Sequence, residues 1–429
     1  MEKLYLGVAQ EKITPKIGTC LYGYVPDFHS TSVADDLWLT AFFFRQGETE
    51  ALMINATVCA TGNEYSKELL ALIEKEYGIS SNNVQICSTH THSGPNLSGG
   101  AGWGDRDVEY CDTVFTPAVL KVVGAAKENL KEVTMGYATG ESKVAINRRE
   151  LTMENKIILG QNPWGPVDLK MTVISFKDGD GKTVANMVHY GCHGTCAGRC
   201  PEISRDWSGV MVDALSSKTA APTAFFCGTE GDTGPRLSNG KTTGDMDLMR
   251  ETGAVAAADA IRIYEKIETY DTPKLATYGG KLEIPFEKRL TKEEAEAMYE
   301  QYKDHTYSTG AMLKRRSEMV LELIKNNVPE ENAHSMNQNV IRLGDCIFAP
   351  TVYELFSEIG MRVAQNFPEY NVMTNVNTNG SEAYFATEDA IVRGGYEVTL
   401  YLYRRMQAYA KNADFEYVKQ TVANVEKVL

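Results

Sequence analysis

One stretch constrains this chain more than any other: Val84–Ser88, followed by Thr89-His90-Thr91-His92-Ser93-Gly94-Pro95. The first five residues form a short apolar run of the kind that makes a buried strand, and two imidazoles follow just where that strand runs out. Alternate residues of an extended chain point the same way, so His90 and His92 are predicted to face one pocket while Gly94 and Pro95 turn the backbone away. Neutral imidazole nitrogen is a preferred zinc ligand, but a zinc site needs three or four donors. The rest of the chain has to supply the others.

Before this stretch, β-branched and aromatic runs at 4–12, 37–45 and 51–57 predict strands, the last two joined across Gln46-Gly47-Glu48. Helical spacing of Tyr65, Leu69, Leu72, Ile73 and Tyr77 predicts a helix over 64–77, with Asn63 as its cap and Gly78 as its stop. Strand, helix and strand in that order require at least one crossover connection. Further on, 171–177 and 183–190 form a predicted hairpin about Asp178-Gly179-Asp180-Gly181, and His193 lies just past its far end. A helix near 207–216, the strand Thr223–Cys227 and a long helix over 245–264 follow. Residues 288–330 are rich in lysine and glutamate and read as a helical insertion, with helices near 291–303 and 310–326, inside a single unit of 1–429. The chain then returns to strands at 339–343 and 346–349, begins a helix near Tyr353-Glu354, and forms a last strand over 371–377. The predicted class is α/β, a mixed β-sheet with flanking helices. The glycine-rich residues 96–110 read either as an active-site loop or as a plain surface loop.

A formal net charge of −14 argues against nucleic acid, which needs a cationic face. No run approaches the ~20 apolar residues that span a bilayer, and the N-terminus carries no apolar leader, so a cytoplasmic location is expected. Nine cysteines, several of them in apolar strands, read as reduced thiols, and the spacing of Cys192, Cys196 and Cys200 fits no standard zinc or iron–sulfur pattern. A small-molecule substrate is the expected partner. Assembly into a homo-oligomer stays open.

Ligand-type side chains thus collect at strand ends and loops: His90 and His92, His193, Glu354 and Tyr384. In this context the sequence resembles the neutral/alkaline non-lysosomal ceramidase family, whose catalytic domain is a zinc-dependent amidase. The matching stretches run in order: Gly7 through Ile13-Thr14-Pro15 and Gly18; Thr89 to Pro95; Asn147-Arg148; Cys192-His193-Gly194-Thr195 with Ile203-Ser204-Arg205-Asp206; Gly231-Asp232-Thr233-Gly234-Pro235; Tyr353-Glu354; and Ala383-Tyr384-Phe385-Ala386-Thr387. The resemblance implies zinc ligands at His90, His193, Glu354 and Tyr384, with His92 a near neighbour and Arg148 beside the reacting carbonyl. Two imidazoles with one carboxylate leave a divalent ion a single positive charge, and a phenol could serve as a long fourth ligand. Asp206, Asp232 and Glu230 are candidates to orient the ligands, because ligating histidines usually donate their second N–H to a carboxylate or carbonyl.

The sequence departs from the family at one point that matters. The ceramidase Gly-Asp-x-Ser-Pro loop presents a serine associated with catalysis, and that position here is Gly234, which has no nucleophile. The region after Pro95 lacks the family's aromatic continuation, and the immunoglobulin-like C-terminal domain of secreted ceramidases is not expected. The resemblance with these departures implies an amidase that uses metal-activated water on a substrate other than ceramide. An esterase with the same site and an inert, ligand-binding scaffold are the alternatives.

Overall fold

The computed structural model describes residues 2–100, 103–306, 308–399 and 407–429. Its centre is an eight-stranded mixed sheet in the order Thr223–Cys227, Thr183–Tyr190, Lys170–Lys177, Lys131–Glu141, Leu4–Lys12, Trp38–Gln46, Thr49–Ala56, Val84–Ser88. The inner pairs are antiparallel, and the outermost pair at each edge is parallel. Both faces are covered, which explains why the strands read as near-continuous apolar runs. Ala41, Phe43, Leu52 and Ile54 bury against the helices Asn63–Tyr77 and Thr116–Glu128. Their neighbours Phe42, Phe44, Ala51 and Met53 point the other way, into a core shared with a second sheet.

That second sheet has four strands: Leu275–Pro285, Ala333–Leu343, Cys346–Phe348 and Asn371–Met373. Ile341, Leu343 and Phe348 face the large sheet, while Val340 and Ile347 face outward toward the helix Ala413–Glu426. Helices Asp206–Thr219 and Met246–Tyr264 pack together over the far half of the large sheet. The molecule is therefore layered helix, sheet, sheet, helix, an α/β architecture as expected.

The large sheet curls until its two edge strands approach one another. The Asn55 side chain donates to Phe225 O across the gap. Residues 376–379, leaving the second sheet, lie along the seam: Val376 N–H donates to Cys227 O, Ser88 N–H to Asn377 O, and Asn379 N–H to Ile86 O. The carboxyl ends of both parallel edges thus open on the same place.

Three local expectations need correction. Glu354 does not begin a helix; Glu354–Leu355 is a two-residue strand paired in parallel with Tyr384–Phe385, and the helix starts at Ser357. Asn63 does not cap its helix, because its side chain instead accepts from Ser381 N–H and donates to Glu382. The last strand stops at Met373, since the chain beyond it leaves the ladder to fill the seam. Between Leu275–Pro285 and Ala333–Leu343 lie the helices Lys292–Tyr302 and Ser308–Lys325, close to the expected bounds. Among the described residues no helix is long and apolar enough to cross a membrane.

Candidate metal centre

Four chain segments deliver the site. His90 follows the edge strand Val84–Ser88, His193 follows Thr183–Tyr190, Glu230 follows the opposite edge strand Thr223–Cys227, and Glu354 comes from the two-residue ladder. His90 and His92 do face one cavity, but not through strand alternation. His90 has left the strand and sits at φ 62°, the left-handed region that costs a non-glycine residue about 1 kcal/mol or more. Its N–H is held by Val58 O, and the His92 N–H by Gly194 O, so the turn is fixed on both sides.

The donor atoms converge. His90 Nε2 lies 3.5 Å and His193 Nε2 3.3 Å from Glu354 Oε2, while His92 Nε2 is 3.3 Å from His90 Nε2. One donor atom from each of His90, His193, Glu230 and Glu354 falls within 4.8 Å of the other three, and all four residues are buried. The remote ring nitrogens are fixed by carbonyls: His90 Nδ1 lies 3.0 Å from Cys59 O, and His193 Nδ1 lies 2.8 Å from Glu230 O. A proton on each Nδ1 satisfies those carbonyls and leaves each Nε2 lone pair aimed inward, the tautomer a metal ligand needs. His193 Nε2, Glu354 Oε2 and Glu230 Oε2 have no hydrogen-bond partner although they are buried. Such orphaned acceptors are costly, and a shared cation would satisfy all three. The donor set fits a divalent metal ion.

The electrostatics agree with neutral imidazoles beside charged carboxylate. Burial drives His92 well below the ordinary histidine range and His193 down to about 3, and the charge of Arg148 adds to the effect. Burial pushes the Glu354 carboxyl up, but His90, His193 and Arg148 more than offset it and hold the group well below the usual range. Glu230 goes the other way, raised by burial and by the charge of Glu354.

The remaining predicted residues fall at different distances from this cluster. Tyr384 is opposite Glu354 in the ladder, with its ring stacked on His193 at 6.3 Å and the Arg148 guanidinium 5.2 Å over its face. Arg148 donates to Glu397 at 2.9 Å and to Gly231 O at 3.0 Å. Asp232, raised to about 6 by burial, does not meet an imidazole; it accepts from Ser357 N–H and Asn147 and ties the Glu354 segment to its loop. Asp206 also misses the imidazoles, accepting from the N–H groups of Cys196, Ala197 and Trp207 to brace the loop that carries His193. Gly234 sits in the short strand Thr233–Pro235, where a Cβ would stand 2.7 Å from Thr242 Cβ. A serine there would force Thr242 aside.

Sequence reasoning missed Asn377, whose side-chain amide lies 3.1 Å from His90 Nδ1 and 2.9 Å from Glu230 Oε1. It missed Tyr24, packed edge-on against His92 at 4.9 Å, and Glu397, which pairs with Arg148 and Arg149. The run Asn375-Val376-Asn377-Thr378-Asn379, too polar for the strand assigned to it, was the available signal for Asn377. Beside the histidines lies a small cavity of about 50 Å³ walled by Tyr22, Trp103 and Tyr396, with Ala60, Ser381 and Ala383 between them. The Trp103 indole N–H donates to Met312 Sδ of the helix Ser308–Lys325, so that helix backs one wall. Residues 101–102 of the glycine-rich loop lie outside the described residues.

Fold and site together define a mixed α/β protein with a buried histidine–carboxylate centre at the meeting edges of its main sheet. No family model matches the chain. Over 245 residues, 53% of its length, it is 25% identical to the neutral ceramidase of Pseudomonas aeruginosa, and the match spans only 36% of that protein. The crystal structure of neutral ceramidase from the same organism superposes with a TM-score of 0.75 at 18% identity, covering 100% of this chain and 75% of that one. A ceramidase complexed with C2 gives 0.75 at 16% identity, covering 100% and 76%. The chain has the neutral ceramidase fold and is neutral ceramidase-like over the part these matches cover.

Proposed function

We propose that this protein is a metal-dependent hydrolase that cleaves an amide bond in a compact, water-soluble substrate rather than in ceramide. The observation that carries the reading is the convergence of His90 and His193 on Glu354, their Nε2 atoms 3.5 and 3.3 Å from one carboxylate oxygen in a buried cluster. These residues would hold a divalent ion, zinc by family likeness. Such an ion supplies polarisation of the carbonyl and acidification of water. His92, kept neutral by burial, turns its Nε2 toward the centre, 3.3 Å from His90 Nε2, and there accepts the proton released as water attacks, then returns it to the leaving amine. Arg148 and the phenol of Tyr384, in contact with one another, steady the developing oxyanion. No acyl-enzyme forms at Gly234, where Thr242 fills the space a serine would need. An ester could occupy the same site.

Elemental analysis of protein purified without added metal tests this directly. About one metal ion per chain is expected, lost in His193→Ala, together with hydrolysis of simple N-acyl amines that chelation abolishes and serine-directed inhibitors leave untouched. Hydrolysis that survives exhaustive chelation overturns the reading. The filled space at Gly234 favours one other reading, a scaffold that binds such ligands without turning them over, which would retain metal and ligand but release no amine.

A further inference from the structure

We infer that Glu230 is the fourth protein donor to the metal, in the place that family likeness gives to Tyr384. The inference rests on the metal centre proposed above and names its complete donor set. Glu230 is fully buried, and a donor atom of its carboxylate belongs to the four-residue cluster in which all such atoms lie within 4.8 Å. One oxygen accepts from the Asn377 side chain at 2.9 Å, and the other has no partner. Among the described residues no lysine, arginine or histidine forms an ion pair with it, so its burial is eased only by the Asn377 hydrogen bond and by the charge of Arg148, and one oxygen is left unsatisfied. Arg148, the nearby cation, is committed to Glu397 and to Gly231 O. The backbone of Glu230 is also part of the centre, because its carbonyl receives the His193 Nδ1 proton. One residue therefore orients one ligand and presents another. The ring of Tyr384 is held from its faces, with Arg148 over it and His193 stacked against it. Two imidazoles and two carboxylates neutralise a divalent ion without phenolate, which frees the Tyr384 hydroxyl to donate to substrate.

Zinc affinity, measured by competition with a chelator, separates the two donors. Glu230→Gln is expected to weaken zinc roughly 100-fold or more, the upper end of what even outer partners of ligands cost, whereas Tyr384→Phe leaves affinity unchanged. A second readout uses the wild-type protein and zinc alone: coordination through a deprotonated phenol gives a tyrosinate difference absorption on titration, and none is expected. Unchanged affinity in Glu230→Gln, or a stoichiometric tyrosinate signal, overturns the inference while leaving a metal centre in place. Failure of the wild type to take up metal overturns the proposed function and the inference together. Should Glu230→Gln not fold, Tyr384→Phe and the tyrosinate titration decide together: unchanged zinc affinity with no signal supports the inference, and weakened affinity or the signal refutes it.

Discussion

His90 holds its left-handed backbone because three groups over-determine it: Val58 O on its N–H, Cys59 O on its Nδ1, and Gly194 O on the N–H two residues later. That His90 and His92 share one cavity was legible in the sequence; the backbone turn that aims them was not, because it depends on carbonyls from Val58 and Gly194, remote in the chain. Glu230 was legible only as a neighbour, since a buried unpaired carboxylate looks in sequence like any loop glutamate. A fourth histidine, His189, makes a prediction of a different kind. It is buried inside the strand Thr183–Tyr190 with Nε2 3.3 Å from Thr374 O, and burial lowers it to about 4 from an ordinary 6.5. Between those values the unfolded chain binds a proton that the folded chain does not, so stability is full above pH 6.5 and is lost as pH falls toward 4, by about 3 kcal/mol in all. Urea unfolding at pH 5 and pH 7 should show a shallower acid-side loss in His189→Gln than in the wild type.

At the level of elements, the long periodic segments were readable and the two-residue ones were not. The hairpin of Lys170–Lys177 and Thr183–Tyr190 and the helix Met246–Tyr264 announce themselves by period, turn residues and an Asp245 cap that accepts from Asp247 and Leu248 N–H. Glu354–Leu355 is too short to carry any period, and its pairing with Tyr384–Phe385 is settled by long-range packing, which is why it reads as a helix start. Contact between elements also sets a sharp requirement at Gly7. Strand Leu4–Lys12 passes so close beneath helix Thr116–Glu128 that a Cβ at Gly7 would stand 1.7 Å from Ala126 O. The opposing atom is helix backbone and cannot swing away. Gly7→Ala is expected to destabilise the fold by about 3 kcal/mol or more, read as a lower urea midpoint with the metal content of the folded fraction unchanged.

Across the whole molecule, the curled sheet and residues 376–379 make one seam from the two ends of an eight-strand sheet, and the proposed metal ties that seam to the second sheet's exit through Glu354. Binding to the folded state alone adds stability by mass action, roughly 4 kcal/mol at a free metal concentration a thousandfold above its dissociation constant. Chelation is therefore expected to lower the thermal midpoint of the wild type and to leave that of His193→Ala where it already lies. The α/β class was visible in the order of elements along the chain; the second, stacked sheet and the closure of the seam were not, because no local pattern tells strands which sheet to join or a sheet to bring its edges together.

The candidate donors at the seam lie at residues 90, 193, 230 and 354, each from a different segment. A chain emerging from the ribosome holds its first histidines long before the strand bearing Glu354 has been made. The complete donor set of the proposed centre would exist only once translation has passed that strand, so an ion would gain its full coordination late, after most of the chain has been made.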